Sequence, residues 1–176
     1  FVIDSKGSIM EKLKSLVLVA TIIGHNVSYA QTCNSNVVRS APDSRYQLLN
    51  SNTEAKDLRT GLVWSRCSLG QSWTGSTCAG DVKAYTWKEA TSAVNALGGN
   101  WRLPDIKELQ SLVEEACYEP AINSTIFPLT LNAYWSASPI STGNESLMWR
   151  VYFYDGSAGD TGMSPSLYVR PVRYSQ

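Results

Sequence analysis

The sequence predicts an α+β domain, with two helices segregated from a mostly antiparallel sheet and joined by long irregular loops. Three observations carry that reading. Two capping boxes, Thr86 with Glu89 and Asp105 with Glu108, each introduce apolar residues at helical spacing. The last third of the chain alternates apolar and polar residues as half-buried strands do. Between these halves, residues 119–131 contain Pro120 and Pro128 and no periodic pattern, which predicts an irregular loop that is functional or clamped by packing.

Residues 1–30 read as a leader. From Met10, the expected start, a basic Glu-Lys-Leu-Lys stretch precedes the apolar run 15–24 and a small-x-small site, Ser28-Tyr29-Ala30. That is the three-part pattern of a secretory signal peptide, cut between Ala30 and Gln31. The apolar run is too short to span about 30 Å of hydrocarbon, so no stable membrane anchor is expected after cleavage. The address is periplasmic, cell-surface or secreted. The full chain has 15 basic and 15 acidic residues, and the leader removes three lysines and two acids. The remainder has no basic excess, which argues against nucleic acid as a partner. The single histidine, His25, also lies in the leader. A cleaved chain therefore has no imidazole for a nucleophile–base pair or a metal site, and no catalytic residue, metal or cofactor is expected.

Residues 31–43 read as a polar arm ordered by its tether at Cys33. The domain proper is residues 44–176. Ser44 to Asn50 alternates enough for a first strand; Asn52 to Thr60 is polar and charged, with a turn at Thr60-Gly61; Gly61 to Cys67 is a second strand. Four cysteines, Cys33, Cys67, Cys78 and Cys117, suit two disulfides in an exported chain. Of the three pairings, Cys67–Cys78 is favoured because the serine- and glycine-rich segment between them can fold back, leaving Cys33 to pair with Cys117. No CxxC spacing suggests zinc.

The first helix carries Trp87, Ala90, Val94 and Leu97 on one face and stops at Gly98-Gly99. Trp101, Arg102, Leu103 and Pro104 then form a rigid corner. A second helix begins at the Asp105–Glu108 box and is expected to carry Ile106, Leu109, Leu112, Val113 and Ala116 on one face, reaching Cys117. Tyr134 to Ser138 and Leu147 to Tyr154 read as strands, residues 155–160 as a turn, and Leu167 to Arg173 as a closing strand that Pro171 places at an edge or ends early.

Aromatic residues supply the candidate binding surface. Trp64, Trp87, Trp101 and Trp149 fall on the apolar phase of their elements and read as core, whereas Trp135 is tied to no pattern. Trp73, in the polar cysteine loop, reads as an exposed platform. Arg150, Tyr152 and Tyr154 share the polar phase of their strand and form a binding strip. Arg102 reads as a stitch to loop carbonyls or to an acid. Asp155 and Asp160, with Asn144 and Glu145, match no compact calcium loop. Glu114 and Glu115 point in different directions on their helix and form no glycosidase pair.

Several of these stretches occur together in one family. Thr60-Gly-Leu-Val-Trp64, the Cys67–Cys78 loop, Thr86-Trp87 with Ala90, Trp101-Arg-Leu-Pro104 with Lys107-Glu-Leu109, Tyr134-Trp-Ser136 and Tyr168-Val-Arg170 with Val172-Arg173 fall in its order. In these the chain resembles the DUF1566 family, also called the Lcl C-terminal domain, over about residues 44–174. The resemblance implies a C-type-lectin-like fold, shared with the formylglycine-generating enzymes. It also implies the attributes of the family's adhesin member, binding of sulfated glycosaminoglycans and trimer formation. The function expected is an exported lectin-like binding or adhesion module that recognises a glycan or a surface protein. The alternatives are an enzyme of the formylglycine-generating type and a structural domain of an envelope or surface assembly.

Overall fold

The computed structural model describes residues 30–130, 132–142 and 145–175. Residues 1–29, which include His25 and the start expected at Met10, lie outside the described residues, as does Asn144. The element order is β1 (Thr32–Cys33), a 3-10 turn (Asp43–Arg45), β2 (Tyr46–Leu49), β3 (Glu54–Asp57), β4 (Leu62–Ser65), β5 (Ser72–Trp73), β6 (Cys78–Ala79), α1 (Trp87–Asn95), α2 (Ile106–Gln110), β7 (Cys117–Tyr118), β8 (Ala133–Thr142), β9 (Glu145–Tyr152), β10 (Ser157–Gly162) and β11 (Val172–Tyr174). The architecture is α+β: a four-stranded sheet β11-β4-β3-β2, a three-stranded sheet β10-β9-β8 and two short ribbons, β1-β7 and β5-β6, all paired antiparallel. Among the described residues no helix is long and apolar enough to cross a membrane.

Two apolar clusters hold these layers together. The first joins one face of the four-stranded sheet (Tyr46, Ala55, Trp64, Val172) to Leu109 and Leu112, to Ile122 and Phe127 of the long loop, to Tyr134 and Val151 of the other sheet and to Phe153 just after it. The second packs Ala90 and Val94 of α1 with Leu103, Trp135, Met148 and Val169. The three-stranded sheet therefore sends Tyr134 and Val151 into one core and Trp135 and Met148 into the other. Trp135 belongs to the core, its Nε1 donating to the Tyr85 carbonyl at 2.7 Å. Trp64 is fully buried, and Trp87 and Trp101 are half-buried against the second cluster.

Both capping boxes are formed as the sequence predicts. The second helix, however, is one turn long. α2 ends at Gln110, and the apolar residues expected on its continuation are buried another way. Leu112 packs into the first core, Val113 makes an antiparallel bridge with Ile122, and Cys117 opens β7. Glu114 and Glu115 are thus not helical.

Two strands replace segments read as polar connections. In β3, Ala55 and Asp57 are both fully buried. Asp57 can be there because Arg45, itself buried, grips it with Nε at 2.8 Å and Nη2 at 2.5 Å, while Thr60 Oγ1 donates at 2.8 Å. Residues 157–162 are not turn but β10, which pairs with β9 from Ser157↔Tyr152 to Gly162↔Leu147. The closing strand begins only at Val172, after Pro171, and forms an edge of the four-stranded sheet.

Candidate functional site

Of the three residues read as one strand's polar phase, Arg150 and Tyr152 lie on β9, and Tyr154 lies in the turn that follows it. Val151 and Phe153 point into the first core, so Arg150 and Tyr152 take the other face of the strand. A tight turn over residues 153–156 follows, closed by Gly156 N–H donating to the Tyr152 carbonyl at 2.8 Å. Gly156 has φ +80°, and a Cβ there would lie 2.7 Å from Val113 Cγ1, so only glycine lets the turn sit against the loop. The reversal stacks Tyr154 on Tyr152, with ring centroids 5.7 Å apart and planes 17° from parallel. β10 runs alongside with Gly159 opposite Arg150; the absent side chain leaves the Arg150 guanidinium to lie over the strand.

Acidic groups flank the rings. The Tyr154 hydroxyl donates to the Glu119 carboxylate, and the Glu119 and Ala121 amides donate to the Tyr154 and Phe153 carbonyls, each at 2.7 Å. The Asp155 carboxylate accepts from the Ser157 amide at 2.9 Å. Hydrogen bonds from Ser157, with the more distant Arg150 charge, hold Asp155 below the usual carboxylate range. Two stacked phenols, one guanidinium and two carboxylates thus share one patch. Arg150, Tyr152 and Tyr154 are each half-buried, so their conformations are braced while part of each remains open to solvent.

Trp73 is elsewhere. It lies in the β5–β6 hairpin opposite Cys78, and one face of its ring is taken by the Arg66 guanidinium, 3.7 Å from the centroid. Arg66 in turn donates to the carbonyls of Asn52, Thr125 and Ile126. Trp73 is therefore half-buried packing at the base of the cysteine hairpin rather than an open platform.

A second group of aromatic and cationic residues contains Trp101, Arg102 and Glu108 of the expected corner, and sequence reasoning missed Arg173 and Tyr174 as their partners. Arg102 grips Glu108 with both terminal nitrogens at 2.7 Å and lies 4.8 Å from the Tyr174 ring centroid. Arg173 pairs with Glu54 at 2.7 Å and lies 5.0 Å from the Trp101 ring. The Trp101–Arg102 and Arg173–Tyr174 pairs are locked by two backbone bonds between Arg102 and Val172, at 2.9 and 3.0 Å. Burial opposes ionisation of Glu108, but hydrogen bonds from Arg102 and the Asp105 amide outweigh it and hold its carboxyl below the usual range. Both arginines are paired with acids, so this cluster stitches the corner to the closing strand, the role expected for Arg102. The alternation of aromatic and arginine in both stretches was the available signal.

Both disulfides form with the favoured pairing, Cys33–Cys117 and Cys67–Cys78. All four cysteines are thereby committed. Among the described residues no group of three or more histidine, cysteine or acidic residues is placed to hold a metal ion.

The fold and the patch define a disulfide-stapled α+β domain whose open surface is built from tyrosine, arginine and carboxylate. Residues 53–173 match the family model of the Lcl C-terminal domain, and the chain belongs to that family. No curated protein is significantly similar to the chain in sequence.

Proposed function

We propose that this domain is a lectin-like recognition module, a variant of the C-type-lectin fold, that works outside the cytoplasm and binds a glycan or a surface protein without catalysis. The Tyr152–Tyr154 stack carries the proposal. Aromatic faces and phenol hydroxyls, beside Arg150, Glu119 and Asp155, match the mixture of C–H faces and hydroxyls that a sugar presents. The patch is braced by two strands and the 119–121 backbone, so little ordering is needed on binding. Two disulfides suit an oxidising compartment. Commitment of every cysteine to a disulfide counts against the formylglycine-generating reading, which needs a reactive cysteine pair.

The test is a glycan array probed with the folded, oxidised domain, with Tyr152→Ala as the variant. Loss of the Tyr152 ring should weaken binding by about tenfold or more, the range for truncating an aromatic anchor. Trp73→Ala, whose ring is already occupied by Arg66, should bind as wild type provided it folds. Absence of any wild-type signal, or equal binding by Tyr152→Ala, would sink the assignment of this patch.

A further inference from the structure

Glu119, whose carboxylate holds the Tyr154 hydroxyl, is a non-glycine residue at φ +55°. A Cβ crowds the backbone in that region, so the conformation persists only where its surroundings impose it. Two restraints flank it. On the amino side, Cys117 is bonded to Cys33, which lies directly opposite it in the β1–β7 ribbon. On the carboxyl side, Gln31 Nε2 donates to the Pro120 carbonyl at 2.8 Å and to the Ile122 carbonyl at 2.6 Å. Ser124 Oγ in turn donates to Gln31 Oε1 at 3.0 Å. Both restraints come from one stretch of the arm, since Gln31 stands two residues before Cys33.

The restrained segment is the one that shapes the patch. Between the two anchors, the Glu119 and Ala121 amides donate to the Tyr154 and Phe153 carbonyls and fix the turn that lays Tyr154 on Tyr152. Cys117 also lines a cavity of about 380 Å³ whose wall includes Asp155 and Gly156, so staple and patch adjoin. The other anchor of the arm is separate: Ser40 and Ala41 bond to Glu114, and Ala41 is buried in the first core. Opening the bond therefore frees the stretch around Gln31 and Cys33 without detaching the arm at Ala41, a local opening rather than unfolding.

The bond can be reached. Cys33 is the one exposed half-cystine. One thiolate of a dithiol reductant attacks Cys33 Sγ; the Sγ–Sγ bond breaks, and Cys117 leaves as a thiolate that takes up a proton. The second thiolate of the reductant attacks the mixed disulfide and releases Cys33, which also takes up a proton. Two electrons have passed, and the reductant ends as its own disulfide. We infer that Cys33–Cys117 is a redox-sensitive clamp on the Tyr152–Tyr154 patch. Closed, it holds Glu119 against Tyr154. Opened by a dithiol, it lets Glu119 leave the left-handed region, and the tyrosine stack loses its brace. The control of binding rests on the reading of this patch as the recognition surface.

The experiment first follows amide exchange by NMR, which needs no ligand. Oxidised protein is compared with protein treated with dithiothreitol until only Cys33 and Cys117 can be alkylated, and with Cys33→Ser combined with Cys117→Ser. Exchange at Glu119 and Ala121 should rise about tenfold or more in both open forms, while Leu69 and Lys83 beside the cysteine hairpin stay unchanged. Gln31→Ala keeps both disulfides and removes one restraint; it should raise exchange at Ala121 by about fivefold. The glycan array then reads oxidised, reduced and reoxidised protein. Apparent affinity should fall about tenfold on reduction and return on reoxidation, as the binding-competent patch becomes the minor form and then the major one again. Unchanged exchange at Glu119 and Ala121 with the bond open overturns the clamp, whatever the array reads. Equal array binding by open and closed protein overturns its control of binding. An array silent with the oxidised protein instead overturns the patch as a recognition surface and, with it, any control of binding by the clamp.

Discussion

The two disulfides make the same bond and do different work. Cys67–Cys78 closes a short hairpin, with a sequence separation of 11, and both half-cystines are buried. The hairpin is also packed: a Cβ on Gly70 would meet the Asp81 carbonyl at 2.8 Å, and Trp73 lies against Arg66. Cys33–Cys117 spans a separation of 84 and leaves Cys33 exposed. The arm it tethers buries little apolar surface; Val38 is 90% exposed and Val37 42%. Apart from Ala41, which is buried in the first core, what holds the arm besides the bond is polar. The buried Glu114 carboxylate accepts from the Ser40 and Ala41 amides at 2.9 Å each, from the Ala116 amide at 3.1 Å and from Arg39 at 3.2 Å. Gln31 donates to the carbonyls of Pro120 and Ile122. One staple reinforces packing that already exists, and the other substitutes for packing that the arm lacks.

Removing each staple separates these roles. The chain-entropy relation assigns about 4.5 kcal/mol to the long loop and about 3 kcal/mol to the short one. Cys33→Ser with Cys117→Ser should therefore lower stability more than Cys67→Ser with Cys78→Ser, measured by urea unfolding. The opposite order would mean that the arm detaches before the domain unfolds and that the long loop is never counted in the global transition. Mild reductant should open Cys33–Cys117 first, because Cys33 is the one exposed half-cystine, as mass spectrometry of alkylated protein would show.

Next in size is Glu114→Gln. It keeps the shape but replaces a charged acceptor of three amides, at an expected cost of about 2 kcal/mol. Urea unfolding should show that loss, and hydrogen exchange should show it concentrated at Ser40 and Ala41, with the cysteine hairpin unchanged.

The smallest effect we expect is with acid. Burial resists ionisation of Glu114, yet the Ala41, Ala116 and Ser40 amides outweigh it, so its carboxyl titrates below the usual range; Asp57 is lowered likewise against its burial, chiefly by Arg45. A folded-state pKa below the unfolded one gives stability that is complete at neutral pH. That stability is lost as pH falls from the ordinary carboxylate range through the folded value. Exchange at the arm amides should rise in that window ahead of exchange in the hairpin, whose bond does not titrate.

The sequence made the first helix, both capping boxes, the corner at Trp101–Pro104 and the Cys67–Cys78 bridge legible, because each is signalled by neighbours in the chain; Cys33–Cys117 followed as the pair that remained. It misled where distant partners decide. Leu112, Val113 and Ala116 keep helical spacing, but Ile122, Ser40 and the Cys33 bridge claim that segment after Gln110. Glu54 to Asp57 looked like solvated loop because the partner that lets Asp57 be buried, Arg45, lies in another element. The glycines of β10 hid a strand whose partner is β9. Of the candidate site, Arg150 and Tyr152 were readable from strand phase, whereas Tyr154 joins them through the turn after β9 and not through that phase. Glu119 was not, since only the folded turn brings its carboxylate to Tyr154.

Residues 167–174 touch nearly everything. Val169 sits in the second core and Val172 in the first, Leu167 bridges Tyr85, and Tyr168 bridges Tyr134. A chain that emerges from its amino end must therefore wait for this late segment before either core can close. Until then the four-stranded sheet lacks an edge, and Trp64 has no Val172 beside it. Such dependence on long-range contacts slows folding, and it makes a stop just before residue 167 far more damaging than loss of the arm at the other end.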